Sequence, residues 1–333
     1  MTIASVPESE LYHRAEKEGI TTKKVLVKGS LSVLNLAKLF SFANYLKKEK
    51  IDVIFLNLSQ DLKFGALAGK LAGVDKIIYR RGLAIPIKNR FYTKLLLKDC
   101  VTDIIANSCT IKRMVLENTS EWLNEDKIKI IYNGIKLDNI QDKLDTTFNI
   151  RKEFDLEDNI PIIANIGRLT EQKGHKYLIK AVDLIRREVK EFKVLVIGKG
   201  DLENKLKEEV KSFNLDDYII FTGFRDDIYN ILAQVDFLVH TALWEGCPNI
   251  ILEAMAVATP VVATNISSVV ELVLEGKTGY LAESQDVYDI AKQTVKMIEE
   301  SNKNKMGQTA KDLINKKFDF KDKITELEDL YLR

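Results

Sequence analysis

Short runs of apolar residues, many of them β-branched, alternate along the chain with stretches of helical periodicity. Ten runs have the length of a buried strand and are bounded by Gly, Pro, Asn or Asp: IDVIFLNL, KIIYRRG, DIIANS, KIKIIYNG, PIIANIG, FKVLVIG, YIIFTG, DFLVHTAL, TPVVAT and TGYLAE. Strands this apolar are typically covered on both faces, and helices between them allow parallel pairing. The pattern therefore predicts an α/β fold with doubly wound parallel sheets.

The stretch HKYLIKAVDLIRREVK, which begins at His175, carries the clearest helical pattern. Leu178, Val182, Ile185 and Val189 fall on one helical face, and the charged residues fall elsewhere. This spacing predicts a helix that covers one face of a sheet.

A charged segment with little apolar periodicity, DNIQDKLDTTFNIRKEFDLEDN, interrupts the pattern at 138–159, and a new strand is predicted from Ile160. We place a domain boundary within this segment. The prediction is an N-terminal domain over 1–150, a second domain over 151–315 and a C-terminal helix over 316–333. Each domain has its own series of strands and helices, so we expect two Rossmann-like domains facing a cleft in which a ligand binds.

The composition is that of a globular protein without a secretion or membrane segment. The chain has 333 residues, 46% hydrophobic and 30% charged, which suffices for two domains with sizeable cores. No stretch approaches 18 consecutive apolar residues, and the N-terminus has no basic segment followed by an apolar run. We therefore expect a cytoplasmic protein. The three cysteines are too few and too scattered for a disulfide framework or a four-ligand zinc site, so no metal is expected.

The net charge of +1 hides an unequal distribution between the two halves. Residues 1–150 carry 24 Lys and Arg against 17 Asp and Glu, whereas the remainder carries 26 against 32. A basic half suits an acidic substrate or peripheral contact with the cytoplasmic face of a membrane, since each cation near anionic lipid contributes about 1 kcal/mol. Solvated helix faces give the same composition, and both interpretations stay open. No nucleic acid partner is expected.

Two cations stand on a loop directly after a predicted strand. In NIGRLTEQKG, residues 165–174, the strand ends at Ile166, a glycine permits a tight turn, and Arg168 and Lys173 precede a helix. Positive charge and backbone N–H groups at the carboxyl end of a strand can form an anion site. The alternative is a surface loop with two solvated cations. A second strand-to-loop segment, VIGKGD, contains Gly198 but lacks the third glycine of a dinucleotide fingerprint and is weak alone.

The segment LWEGCPNIILEAMA, residues 243–256, places two acids in an apolar stretch with seven residues between them. It follows a predicted strand, and its Pro-Asn pair favours a helix start. Glu245 is therefore expected in a loop and Glu253 on the following helix, where carboxylates can accept hydrogen bonds from sugar or ribose hydroxyls. The helix N-terminus at Asn249 and Ile250 would add N–H groups for a diphosphate. A helical acid paired with a nearby Lys is the alternative for Glu253.

In their order along the chain, the motifs GR…KG, VIGKGD, FTGFRDDI, EGCPNIILEAMAVATPVVATN and ELVLEGKTGYL closely resemble the donor-binding half of family 4 retaining glycosyltransferases of the GT-B fold. The resemblance runs almost continuously over 160–285. The first half resembles the family more loosely, through IDVIFLNL, IIANSCTIKRMV and IIYNG. The resemblance implies transfer of a hexose from a UDP- or GDP-sugar to a cell-surface glycan or lipid-linked acceptor, as in polysaccharide or lipopolysaccharide biosynthesis. The nucleotide sugar is a co-substrate, and no cofactor is implied.

The same resemblance assigns catalytic roles. Arg168 and Lys173 resemble the pair that neutralises the donor's diphosphate as the sugar leaves, and Glu245 resembles the acid beside the transferred sugar. In such retaining enzymes the acceptor is thought to attack on the face from which the leaving group departs, and the phosphate helps to take the proton. The sequence is compatible with that mechanism, because no Ser-His-Asp or Cys-His arrangement stands out. The three histidines are expected to be structural.

Donor-binding roles follow in the same way. Glu253 is similar to the acid that binds the ribose hydroxyls, and Phe224 and Arg225 lie where the family's backbone contacts the base. At Arg81-Gly82, many relatives have a His-Gly pair that helps to position the sugar. Arg81 is therefore expected either to bind an anionic group of donor or acceptor or to be an ordinary cation at a strand end.

The beginning of the chain departs from the family pattern. Family members open with a strand and a glycine-rich loop, and by this resemblance Met1 falls at the second strand. We therefore expect an N-terminal domain without its first strand. That departure leaves a second hypothesis beside the glycosyltransferase: a non-catalytic protein that binds a nucleotide sugar or acts as a scaffold.

Overall fold

The computed structural model describes residues 1–25, 35–266 and 268–331. The chain divides into two compact units, Met1–Ile130 and Ile131–Arg333. The division lies about 20 residues before the boundary that we placed at 150. Its physical reason is packing, because Ile135, Ile140 and Ile150 are buried in the core of the second unit.

The first unit is built from parallel strands and helices. Its strands are β1 (Thr2–Ser5), β2 (Thr21–Lys24), β3 (Val53–Leu56), β4 (Lys76–Arg81), β5 (Asp103–Ala106) and β6 (Ile128–Ile130). Its helices are α1 (Glu10–Lys17), α2 (Leu36–Lys48), α3 (Ser59–Ala72), α4 (Phe91–Leu95) and α5 (Cys109–Leu116). The first two strands form a parallel pair, and β3 to β6 form a four-stranded parallel sheet in chain order. A π-helical segment, Leu96–Cys100, continues α4.

The second unit has a six-stranded parallel sheet. Its strands are β7 (Ile162–Ile166), β8 (Lys193–Ile197), β9 (Ile219–Gly223), β10 (Phe237–His240), β11 (Val261–Thr264) and β12 (Gly279–Ala282). Their order across the sheet is β12-β11-β10-β7-β8-β9. The chain therefore winds outward in both directions from the adjacent pair β7 and β10, which is the Rossmann order.

Helices cover both faces of this sheet. The helices described in this unit are α6 (Asp138–Gln141), α7 (Ile150–Glu153), α8 (His175–Glu188), α9 (Glu203–Ser212), α10 (Ile228–Leu232), α11 (Asn249–Ala256), α12 (Val269–Leu272), α13 (Val287–Glu299), α14 (Lys303–Lys317) and α15 (Phe320–Tyr331). Residues of α8, α9 and α13 form one core cluster with the sheet, and residues of α11 and α14 contribute to the other.

The strand β7 illustrates why such strands are apolar throughout. Ile162 and Ala164 belong to one core cluster and Ile163 belongs to the other, because successive side chains of a strand point to opposite faces. All three are fully buried. Truncating one such Ile to Ala typically costs about 2–5 kcal/mol, so this strand is held firmly in place.

The C-terminal helix attaches to the beginning of the second unit. The Ile135 N–H donates to the Phe318 carbonyl (2.8 Å), and the Phe320 N–H donates to the Ile135 carbonyl (2.9 Å). The predicted C-terminal helix over 316–333 corresponds to α15, which occupies Phe320–Tyr331 and is separated from α14 by a short break. Residues 332–333 lie outside the described residues.

All ten predicted strands are present, as β3 to β12. The pattern did not predict β1 and β2, because TIAS and TTKK are short and have few apolar residues. The predicted helix after residue 174 is α8, which begins at His175. The expectation of a missing first strand stays a prediction.

Candidate functional site

The sequence-predicted loops meet where two neighbouring strands end. The β7 loop (residues 167–174) follows β7, and the β10 loop (residues 241–248) follows β10. These two strands are hydrogen-bonded neighbours from which the sheet winds in opposite directions. In open α/β sheets, ligands bind beyond the carboxyl ends of strands at such a switch point.

Glycine at 198 lets the loop after β8 approach the β7 loop. Gly198 has φ +141°, and a Cβ atom there would lie 2.0 Å from the Gly167 carbonyl oxygen. The Leu169 N–H donates to the Lys199 carbonyl (3.0 Å), which fixes the two loops together. A side chain at 198 would force the two backbones apart, so the predicted glycine is required by the geometry of the site.

The β7 and β10 loops are also joined by hydrogen bonds. The Leu243 N–H donates to the Gln172 carbonyl (2.8 Å), and the Gln172 amide donates to the Trp244 carbonyl (2.9 Å). The Thr241 hydroxyl donates to the Lys173 carbonyl (3.1 Å). These bonds hold the backbone on both sides of the predicted charged residues.

Lys173 and Glu245, both predicted as site residues, form an ion pair across the two loops. Their side chains are only 16% and 13% exposed. Arg168 lies on the same β7 loop and is exposed. A partly desolvated pair responds strongly to an added negative charge, because screening by water is weak there.

A buried polar layer supports the β7 loop from below. The ring nitrogens of His175 lie 2.5 Å from Asn165 Oδ1 and 3.1 Å from the Arg168 carbonyl oxygen. The Asn165 amide in turn donates to the Val239 carbonyl (2.7 Å). Burial lowers the pKa of His175 to about 4, so the imidazole is neutral near pH 7.

His240 lies at the end of β10, below the ion pair. Its Nε2 is 3.9 Å from Glu245 Oε1, and within the described part of the chain neither ring nitrogen has a hydrogen-bond partner. Complete burial, reinforced by the nearby Lys173 cation, lowers the pKa of His240 to about 3. The imidazole beside Glu245 is therefore neutral, and Lys173 supplies the positive charge at this position.

The helix α11 begins directly after the β10 loop, with Pro248 as its N-cap residue. The backbone N–H groups of Asn249 and Ile250 open the helix and have no intrahelical acceptor. The Asn133 amide donates to Asn249 Oδ1 (2.8 Å) and to the Cys247 carbonyl (3.3 Å), which orients this terminus. The geometry is that of an anion-binding helix N-terminus.

Glu253 lies on α11 and is largely shielded from water. Burial raises the pKa of its carboxyl group, although the Lys143 charge opposes the shift. Burial raises the pKa of Tyr229 to about 12, and the nearby Glu253 carboxylate contributes to this increase. No hydrogen bond to the Glu253 carboxylate is found among the described residues. A shielded acid of this kind is typical of a functional position.

Phe224 and Arg225, predicted near the base, have different environments. The Phe224 side chain is 70% exposed in the loop after β9. Arg225 is bound to Glu153 and donates to Asp227 at 2.8 and 2.6 Å, and this guanidinium lowers the pKa of Asp227. The Arg225 side chain is therefore used within the fold, which leaves the backbone of this loop and the Phe224 ring for a ligand.

Arg81, the remaining predicted residue, belongs to the first unit. It ends β4 and is buried, and its guanidinium donates to the Tyr79 hydroxyl (3.3 Å) and the Ile85 carbonyl (2.6 Å). These contacts fix the turn after β4. A role toward an anionic ligand stays a prediction.

The sequence interpretation missed two residues that support the site, Asn165 and Asn133. It expected His240 to be structural, and this side chain is buried beside Glu245. A signal was available for Asn165, because PIIANIG contains one polar residue inside an otherwise apolar strand. A buried polar group needs a partner or a function. Asn133 could not be found in this way, since it stands at the end of the run KIKIIYNG, where an Asn is an ordinary turn residue.

Among residues 1–25, 35–266 and 268–331, no group of three or more His, Cys, Asp and Glu side chains is arranged to hold a metal ion.

Comparison with known proteins identifies relatives over most of the chain. The family model described as glycosyl transferases group 1 matches residues 146–313. An Escherichia coli protein, UDP-Gal:alpha-D-GlcNAc-diphosphoundecaprenol alpha-1,3-galactosyltransferase, is 29% identical over 318 residues, which cover 92% of this chain and 80% of that protein.

Solved structures match nearly the whole chain. A glycosyltransferase from Rickettsia africae ESF-5 superposes with a TM-score of 0.83 at 24% identity, over 99% of this chain and 89% of that one. Anabaena HepE in complex with UDP and glucose superposes with a TM-score of 0.81 at 20% identity, over 99% and 90%. At these identities the likeness establishes the fold.

Proposed function

The chain belongs to the glycosyl transferases group 1 family and is a glycosyltransferase of the GT-B fold, and we propose that it transfers a hexose from UDP-hexose with retention of anomeric configuration. The observation that supports the proposal most strongly is the shielded Lys173–Glu245 ion pair, which lies at the switch point of the six-stranded sheet in the second unit. UDP is favoured over GDP because the Escherichia coli relative is named for UDP-Gal and Anabaena HepE was solved with UDP.

The donor diphosphate is the strongest anion in the reaction and needs the strongest positive field. Lys173 and Arg168 bring two cations to the β7 loop, and the first N–H groups of α11 add the positive end of a helix dipole. As the bond between the anomeric carbon and the diphosphate oxygen breaks, the electron pair goes to that oxygen. Preorganised donors and cations stabilise the charge that develops there.

The two acids bind the neutral parts of the donor. Glu245 accepts hydrogen bonds from hydroxyls of the hexose, and Glu253 accepts them from the ribose diol. When the diphosphate binds Lys173, the Glu245 carboxylate becomes available to the sugar. The acceptor oxygen attacks the anomeric carbon on the face that UDP leaves, and its proton passes to the departing phosphate.

A lipid-linked glycan is the acceptor class that we propose, because the Escherichia coli relative is named for a diphosphoundecaprenol-linked sugar. A cell-surface glycan without a lipid is the alternative acceptor. Within the described ranges, no helix is long and apolar enough to span a bilayer. We propose that the chain reaches a lipid-linked acceptor through peripheral contact with a membrane surface.

Donor binding is tested by a thermal-shift titration with UDP, UDP-hexoses and GDP-hexoses. A ligand present at about 100 times its dissociation constant stabilises the fold by about 2.7 kcal/mol, which is measurable. We expect stabilisation by the UDP series that is lost in Lys173→Ala and weakened in Arg168→Ala. Lys180→Ala is the matched control, since Lys180 is an exposed Lys of α8 outside the site. Stabilisation by GDP-sugars alone, or equal stabilisation of Lys173→Ala, would overturn the proposed donor site.

A further inference from the structure

A long stretch of the first unit carries cations without any acid. Residues 76–98 contain seven Lys and Arg and no Asp or Glu. The stretch includes β4, the following loop, α4 and the start of the π-helical segment. None of the residues proposed for donor binding lies in α4, so its composition calls for another explanation.

The helix α4 has large apolar side chains on its solvent-exposed face. Thr93, Leu96 and Leu97 are buried and attach it to the unit. On the opposite side, Phe91 is 86% exposed and Leu95 is also exposed. Surface helices normally present polar side chains to water, so an exposed Phe and Leu one turn apart indicate a face with a binding partner.

Cations surround this apolar face. Lys94 and Lys98 follow Phe91 at spacings of three and seven residues and are exposed. The Arg90 guanidinium donates to the Tyr92 hydroxyl (3.0 Å), and Lys63 Nζ lies 5.1 Å from the Tyr92 ring centroid. We call this set the α4 surface: Arg90, Phe91, Tyr92, Lys94, Leu95 and Lys98. Asp99 is the one exposed acid next to it in sequence.

We propose that the α4 surface docks the protein on an anionic phospholipid bilayer, with its apolar side chains at the acyl boundary and its cations on lipid phosphate groups. Exposed aromatic and aliphatic side chains ringed by Lys and Arg are what an interfacial membrane helix presents. A second protein would be served equally by the apolar face, whereas the cations Arg90, Lys94 and Lys98 around it also call for an anionic partner. The charge complementarity therefore favours the lipid surface.

The inference rests on the proposed function in one respect, since docking on a bilayer would bring the protein to a lipid-linked acceptor. Its test needs no turnover. The full chain is mixed with vesicles of phosphatidylcholine alone or with added phosphatidylglycerol, and bound protein is measured by flotation. We expect binding to the anionic vesicles only, and weaker binding at high salt.

Two variants separate the charged and apolar contributions. Lys94→Glu with Lys98→Glu is expected to lower vesicle binding at least about 25-fold, since each lost cation accounts for about fivefold. Phe91→Ser is expected to lower it about tenfold. The matched controls lie in the second unit: Lys316→Glu with Lys317→Glu, and Tyr288→Ser, whose side chain is 77% exposed. Both controls should bind vesicles like the parent.

Several results of these experiments would overturn the proposed docking on a bilayer. Absent vesicle binding, equal binding to neutral vesicles, or losses as large in the control variants would overturn the proposal. A change of oligomeric state in Phe91→Ser without vesicle binding would also overturn it and assign the face to a second copy of the chain. UDP stabilisation measured in the same variants keeps this outcome separate from the proposed function, because the α4 variants should retain it.

Discussion

The ion pair between Lys173 and Glu245 can be tested for its contribution to the fold before any substrate is added. We consider Lys173→Met, Glu245→Gln and the double variant, which remove one charge or both while keeping side chains of similar size. Each single variant leaves the other charge with little water around it. The double variant removes both charges, so its loss of stability should be smaller than the sum of the two single losses.

The magnitude follows from the burial of the pair. Two unit charges about 4 Å apart attract by about 4 kcal/mol at an effective dielectric constant of about 20. Desolvation of both ions cancels much of this gain. Exposed pairs retain about 0.2–1 kcal/mol, whereas removing one partner of a fully buried pair costs about 3–5 kcal/mol. For side chains 16% and 13% exposed, we expect a coupling free energy of about 1–2 kcal/mol.

The assay is a double-mutant cycle on the free energy of unfolding in urea, without ligand. The matched control is the pair Lys176 and Glu171, which is close to the site in sequence but 37% and 55% exposed. Its coupling should stay below about 1 kcal/mol. A coupling at Lys173 and Glu245 no larger than that of the control pair would refute the interpretation of a shielded, strongly interacting site.

Three further predictions follow from the site and the layer beneath it. His175 and His240 have pKa values of about 4 and about 3, below the ordinary value of 6.5, so the stability that they contribute is complete above pH 6.5 and is lost as the pH falls toward 4. Each should account for a loss of about 1.4 kcal/mol per pH unit in that window, so His240→Leu should flatten the pH dependence of unfolding relative to the parent protein. Because the pKa of Glu253 is raised, its negative charge destabilises the ligand-free fold at pH values above the ordinary carboxyl range. Glu253→Gln should therefore raise the free energy of unfolding at pH 7 by about 0.5–2 kcal/mol, and this gain should disappear in acid. The same variant should bind UDP more weakly in calorimetry. Gly198→Ala should destabilise the fold by about 3 kcal/mol or more, because the added Cβ atom would meet the Gly167 carbonyl oxygen and φ is positive. At Gly276, φ is also positive but an added Cβ atom would have no heavy atom within 4 Å, so Gly276→Ala should cost about 1–2 kcal/mol. Equal losses of stability would contradict the close approach of the two loops.

The strands of the fold were predictable because their signal is strong and local. Each of β3 to β12 is an apolar run ended by a turn residue, and in a sheet covered on both faces this composition leaves few other structures. The strands β1 and β2 have no such composition, so the apolar pattern does not identify them, although they pair with each other in parallel. The domain boundary was harder to locate, because Ile135, Ile140 and Ile150 lie among charged residues and their burial depends on the sheet that follows them.

The placement of the candidate site residues in two loops was predictable, and their contacts with each other were less so. The positions of Arg168, Lys173 and Glu245 follow from the rule that parallel strands carry ligands at their carboxyl ends. That Lys173 and Glu245 pair with each other depends on β7 and β10 being neighbours, which sequence spacing does not encode. Likewise, the use of the Arg225 side chain by Glu153 depends on a contact across 72 residues.

The proposed reaction transfers a hexose from UDP-hexose to a lipid-linked glycan with retention. To measure it, the protein is incubated with a UDP-hexose and a polyprenyl-diphosphate-linked sugar, and the product's mass and the configuration of its new linkage are determined, the latter by NMR. We expect a product heavier by one hexose, the anomeric configuration of the donor, and a rate that falls at least about 100-fold in Lys173→Met. An inverted linkage, UDP release without acceptor dependence, or an undiminished rate in Lys173→Met would contradict it.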